Sequence, residues 1–200
     1  MIYYRLRGHE LQNDVQTMVQ VFYPNLHYYR TEEISAEETT VESSVEKGIA
    51  SAMLYRRGEQ VSAWSMPYAE PLTEKEKKRL VKLTIFALLS RETGMYPRWG
   101  LLTGVRPAKI VNTLLSEGKS DEECLRYLTE KYLVAQQKAE LTLKVAKAER
   151  RLLAGNEKTD ISLYIGIPFC PTRCLYCSFT AYPLKQYEKR VDEYLDAMFK

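Results

Sequence analysis

Cys170, Cys174 and Cys177 lie within eight residues of one another, and the 200-residue chain has only four cysteines. Three thiolates on one short loop can hold three corners of a cubane iron–sulfur cluster. The fourth iron is then open to an exogenous ligand, unlike the four-cysteine sites of electron-transfer ferredoxins. Iron binds the thiolate rather than the thiol, and the metal itself favours deprotonation. Arg173 lies between two of these cysteines and would offset part of the cluster's negative charge, while Pro168 and Pro171 bracket Cys170 and stiffen the loop. The rival reading is a structural zinc site, but zinc takes four ligands, usually as two separated pairs. Neither His9 nor His27 is near in sequence, and Cys124 falls in a predicted helix far upstream, where a free cysteine behaves as a small apolar group.

The elements that must position this loop are legible around it. Residues 161–165 form a short apolar run that reads as a strand leading straight into the cysteines. Beyond them Leu184, Tyr187, Val191, Leu195 and Met198 trace one face of a helix. Strand, functional loop and helix in that order make the first βα unit of a barrel, with the site at the C-terminal end of the strand. A complete barrel needs on the order of 200 further residues, so the chain reads as the N-terminal part of a longer protein. A polar linker at 155–160 marks the start of this unit, and the expected division is 1–157 and 158–200.

The first 157 residues read as an α+β domain. Ile2, Tyr4 and Leu6 alternate as in a strand, and Leu11, Val15, Met18, Val19 and Phe22 follow helical spacing. Residues 31–44, acidic and rich in Thr and Ser, read as a loop or an edge strand. A hairpin is expected over about 48–66, turning at Arg57-Gly58-Glu59. Thr73 with Glu76 forms a capping-box signature for a helix that Gly94 closes. Pro107 suits the first turn of another helix, stopped near Gly118, and Ser120 with Glu123 is a second capping box. A long helix from about 134 to Gly155 presents Leu141, Val145, Ala148 and Leu152 on one face.

Composition excludes some classes. Lys and Arg number 29 against 26 Asp and Glu, too even a balance to argue for nucleic acid by bulk electrostatics. No run approaches the length of a membrane span, and the opening residues alternate like a strand rather than forming a signal peptide. Clustered cysteines without a secretory leader favour metal binding over disulfides and point to the cytoplasm. The interleaved charges Lys75, Lys77, Lys78, Arg79 and Lys82 read as a solvated helix face. Arg98, Trp99, Arg106 and Lys109 surround a glycine-containing loop that opens a helix. They are read first as a packing loop, with an anion site for carboxylates as the sharper alternative.

The string Tyr164-Ile165-Gly166-Ile167-Pro168-Phe169-Cys170-Pro171-Thr172-Arg173-Cys174-Leu175-Tyr176-Cys177-Ser178-Phe179 resembles the radical S-adenosylmethionine (SAM) superfamily. Within it the chain is similar to the branch of oxygen-independent coproporphyrinogen III dehydrogenases and related haem chaperones. With Arg98-Trp99-Gly100-Leu101-Leu102-Thr103-Gly104-Val105-Arg106-Pro107, it is most similar to the HemZ type. The resemblance implies an α+β N-terminal domain followed by the first βα unit of a radical SAM (β/α) barrel. It implies a [4Fe–4S] cluster on Cys170, Cys174 and Cys177, with SAM on the open iron. Tyr176 would lie against the adenine, Phe179 would join it in cofactor binding, and Tyr164 would serve near the cluster and substrate as the catalytic residue. The implied reaction is oxygen-independent decarboxylation of coproporphyrinogen III propionates to vinyl groups in haem biosynthesis, with an electron-donor protein as partner. The glycine-rich SAM-binding strand is expected after Lys200, so residues 1–200 alone are expected to be inactive. Two departures bear on activity: Gly166 stands where the dehydrogenases commonly carry His, and Phe179 where they carry a fourth cysteine. The Cys-x-Phe ending is shared with the haem chaperones, so a haem-binding chaperone and a radical SAM enzyme with another substrate stay open beside the dehydrogenase.

Overall fold

A computed structural model describes the whole chain except Val105, Lys158, Ser162, Leu175, Tyr176, Ser178 and Lys200. The chain divides into two compact units, Met1–Ala154 and Gly155–Lys200.

In the first unit alternation and helical spacing act where expected. Strand β1 (Ile2–Arg7) buries Ile2, Tyr4 and Leu6, and helix α1 (Gln12–Phe22) buries Val15, Met18, Val19 and Phe22. A three-residue strand β2 (Tyr28–Arg30) pairs parallel to β1. The hairpin forms as β4 (Ile49–Arg56) and β5 (Glu59–Pro67), turning through Arg57 and Gly58, both at positive φ. With β3 (Thr39–Glu46) these strands make a five-stranded mixed sheet in the order β2-β1-β3-β4-β5.

The polar segment 31–44 is therefore neither a loop nor an edge strand throughout, because its second half opens β3 in the middle of the sheet. Its charge is answered across the ladder. Glu42 is the register partner of Arg5, is only 2% exposed, and lies 3.1 Å from the Arg5 guanidinium and 3.9 Å from that of Arg7. A buried carboxylate is tolerated when it is paired in this way.

Helix α2 (Glu74–Thr93) is bounded by the chemistry its ends advertise. The Thr73 hydroxyl accepts from the Glu76 N–H (3.3 Å), the Glu76 carboxylate accepts from the Thr73 N–H (2.9 Å), and Gly94 at φ 69° ends the helix. Its buried face, with Leu80, Val81, Ile85 and Leu89, packs on α1 and the sheet, and Phe86 meets Phe22 edge-on at 5.7 Å.

A second core lies among three helices: α3 (Pro107–Ser116), α4 (Asp121–Arg126, continued by a π-helical turn at Tyr127–Lys131) and α5 (Gln136–Leu153). The Ser120–Glu123 capping box is present, and Cys124 is fully buried in this core, where desolvation pushes its thiol pKa up. The face of α5 differs from expectation. Ala139, Thr142, Leu143 and Ala146 are buried, whereas Leu141 and Val145 are exposed and Leu152 is 82% exposed. Small side chains let α5 come close to α3 and α4, and the strongest apolar periodicity falls on the opposite side. The core tucks under the loop at 97–104, where Gly100 (φ 54°) lies against the backbone at Tyr132 and Leu133. A Cβ on Gly100 would sit 2.1 Å from the Tyr132 carbonyl oxygen, so no other residue fits there without moving the chain. No described helix is long and apolar enough to cross a membrane.

In the second unit the expected barrel strand is not seen among the described residues. The described residues of 161–168 carry no strand hydrogen bonding, and no described residue of the unit is buried. A parallel barrel strand is held by a neighbour on each side, and one βα unit supplies neither. The pairing that does form is a two-residue parallel contact, β6 (Phe169–Cys170) with β7 (Tyr182–Pro183). The expected single helix is divided into α6 (Leu184–Tyr187), a 3₁₀ turn at Glu188–Arg190 and α7 (Val191–Met198).

Candidate metal centre

The cysteine loop is organised by backbone pairing and aromatic packing. Cys170 ends β6, fixed opposite Pro183, and the Tyr182 N–H donates to the Pro168 carbonyl at 2.7 Å. Phe169 packs edge-on against Tyr194 (5.4 Å between ring centroids, 90°) and tilts against Tyr182 at 6.4 Å. The Tyr194 hydroxyl donates to the Gly166 carbonyl at 2.7 Å, tying the chain before the loop to α7. The Cys177 N–H donates to the Cys174 carbonyl at 3.0 Å. Two ring contacts and a few hydrogen bonds thus hold a loop in which no described residue is buried.

The donor set fits an iron–sulfur centre. The three thiols are free of disulfides, with Cys174 exposed and Cys170 and Cys177 half-buried, so metal can reach them. Arg173 is exposed between them. Among the described residues, however, no three His, Cys, Asp or Glu side chains are grouped so as to hold a metal ion. The loop places its thiols in order but does not gather them.

The other predicted site residues are dispersed. Tyr164 is 82% exposed and Phe179 72% exposed, and neither is part of a described core. Tyr176 lies outside the described residues. Gly166 is not demanded by sterics, since a Cβ there would meet only the edge of the Tyr164 ring, at 3.2 Å.

The basic loop at 98–109 separates into two halves. The Arg98 carbonyl accepts from the Ala135 N–H at 2.9 Å and the Trp99 ring lies under the Lys138 ammonium, so these two residues brace α5. Arg106 and Lys109 instead face a cavity of about 900 Å³, where Lys75, Lys78, Arg79 and Lys82 of α2 also face. The spacing 75, 78, 79, 82 is i, i+3, i+4, i+7, one face of a helix. Lys75 and Lys78 are exposed, as expected of a solvated helix face, and that face also borders the cavity.

The chain is 38% identical over 136 residues to the oxygen-independent coproporphyrinogen-III oxidase-like protein HemZ of Bacillus subtilis (strain 168). The match takes in 64% of this chain and 27% of HemZ, so the chain spans about a quarter of that relative's length. No family model matches the chain, and no solved structure does. The resemblance to HemZ-type proteins drawn from the motifs is borne out by this match.

Proposed function

We propose that the protein is a coproporphyrinogen-oxidase-like radical SAM oxidoreductase of haem biosynthesis, working without oxygen in the cytoplasm. The observation that carries this reading is the trio Cys170, Cys174 and Cys177 in a loop of free, accessible thiols, in a chain similar to HemZ. These three residues would hold a [4Fe–4S] cluster, and SAM would take the open iron. When bound, that pair supplies one-electron reduction of SAM and a carbon-centred radical that removes hydrogen from a propionate arm.

The chain's own residues prepare the site. Cys170 is presented from a short paired segment, the Cys177 N–H holds the Cys174 carbonyl, and Arg173 would supply positive charge beside an anionic cluster. Phe169 packs behind the first cysteine against Tyr194, so α7 sets the tilt of the loop. Tyr164 stands free before the loop, where a substrate could meet its hydroxyl, and Phe179 offers an apolar surface for the cofactor after the third cysteine.

The test is anaerobic reconstitution of the whole protein with iron and sulfide, followed by turnover with SAM, a reductant and coproporphyrinogen III. Roughly four irons per chain are expected, with 5′-deoxyadenosine and protoporphyrinogen IX formed together, and Cys174→Ala should abolish the cluster and both products. SAM cleavage with the porphyrinogen untouched would retain the enzyme class and reject the substrate. A loaded protein that forms neither product and binds haem stoichiometrically is a haem chaperone, the second reading, favoured by Phe179 following Cys177 at the two-residue spacing.

A further inference from the structure

The cavity of about 900 Å³ in the first unit lies outside the cysteine loop, and its walls differ in character. One side is basic. Of its six Lys and Arg residues, two are already committed. Lys82 sits 2.9 Å from Asp14 and donates to the Thr103 hydroxyl at 3.0 Å, and Lys78 sits 3.5 Å from Glu74. Lys75, Arg79, Arg106 and Lys109 have no ion-pair partner among the described residues, and Glu117 is the one further acid on the wall. The Arg79 Nε–H is buried with no hydrogen-bond partner. Buried donors left in this condition are uncommon.

The opposite side is apolar and aromatic, built by Leu101, Leu102, Ile110 and Leu114 with Tyr127 and Tyr132. The two tyrosine rings lie 5.6 Å apart, and burial beside Tyr127 pushes the Tyr132 pKa up, keeping its phenol neutral. Helix α3 opens on this cavity through Arg106 and Lys109. Unlike α2 and α4, it has no side-chain cap and no acidic residue in its first turn, so the positive end of its dipole is not countered. A lone phosphate or carboxylate would leave most of the volume empty. The volume lies in the upper part of the range for small-molecule sites.

We propose that this cavity binds an amphipathic polyanion, a rigid apolar body carrying two or more carboxylate or phosphate groups. The body lies on the Tyr127–Tyr132 wall and the anionic arms reach Lys75, Arg79, Arg106 and Lys109. Under the function proposed above the ligand is a tetrapyrrole carboxylate recruited by the N-terminal unit. That identification rests on that reading, whereas the anion chemistry does not.

The experiment is a fluorescence titration of the whole protein with coproporphyrin III, the air-stable oxidised form, with ADP as competitor. Saturable binding is expected. The combined variant Lys75→Gln, Arg106→Gln, Lys109→Gln, built from exposed residues, should weaken it about tenfold or more. Arg79→Gln should weaken it similarly at unchanged circular dichroism. Lys144→Gln, which removes an exposed cation of α5 outside the cavity, should leave the titration unchanged. No saturable binding, or variant affinities within about twofold of the parent at unchanged fold, overturns the proposal. ADP displacing the porphyrin at the lower concentration keeps the polyanion site and removes the tetrapyrrole. Intact porphyrin binding beside a turnover assay that yields no product keeps the site and rejects the reaction.

Discussion

Lowering the pH from 7.5 to 5.5 should destabilise the first unit through His9. This residue follows β1, is 7% exposed, and has both ring nitrogens engaged: Nδ1 accepts from the Leu11 N–H at 3.2 Å and Nε2 meets the Ser43 hydroxyl at 3.0 Å. An acceptor at Nδ1 requires the tautomer protonated at Nε2, so a second proton would break the Leu11 contact. Desolvation lowers the folded pKa, and Lys77 adds to the effect. The contact with Ser43, together with the charges of Glu10 and Asp14, acts in the opposite direction without reversing it. The unfolded chain therefore binds the proton first, near the ordinary value of about 6.5, and the stability present above that pH is lost as pH falls towards the folded value. If the folded ring took no proton at all, the loss at pH 5.5 relative to pH 7.5 would be RT ln(11/1.1), about 1.4 kcal/mol. That is the ceiling, and each fraction of a proton taken up by the folded state reduces it. Urea unfolding at the two pH values measures the loss directly. His9→Asn retains an acceptor for the Leu11 N–H two residues on and removes the titration. It should cost a pH-independent increment of about 1 kcal/mol for the Ser43 contact and flatten the dependence in this window. The same slope in His9→Asn as in the parent would refute the argument.

Two further outcomes follow from backbone geometry. Gly100→Ala should cost at least about 2 kcal/mol in urea or thermal unfolding, combining a left-handed φ with a Cβ placed 2.1 Å from a carbonyl oxygen. A loss below about 0.5 kcal/mol would mean the 97–104 loop shifts freely. Thr73→Ala should cost about 1 kcal/mol by removing the α2 cap, and Thr73→Asp should restore most of it.

Legibility in the sequence followed how local each signal is. Capping boxes at Thr73 and Ser120, the turn at Arg57-Gly58 and the alternation of Ile2, Tyr4 and Leu6 depend on neighbours within a few residues, and all appear in the fold. Strand β3 was obscured because Glu42 is matched by Arg5 from another strand, a pairing invisible along the chain. Helix α5 misled because alanines carry little hydrophobic signal yet allow the closest packing, so Leu141, Val145 and Leu152 drew the face the wrong way. The cysteine spacing was plain, but among the described residues the three thiols are not gathered into a group that could hold a metal ion. The basic cavity is lined from both α2 and α3, and their sequence separation concealed it.

The parallel placement of β1 between β2 and β3 has a consequence for how the chain is made. Leu6 is the register partner of Ser43, so the inner strand lies in sequence well before the strand that completes it. At a synthesis rate of about 5–20 residues per second, the ribosome takes roughly two to seven seconds between them. Through that interval Ile2, Tyr4 and Leu6 offer an apolar strand with one edge unpaired. Only α1 and the short β2 are there to shield it, which makes this the window in which a nascent-chain chaperone would find its target.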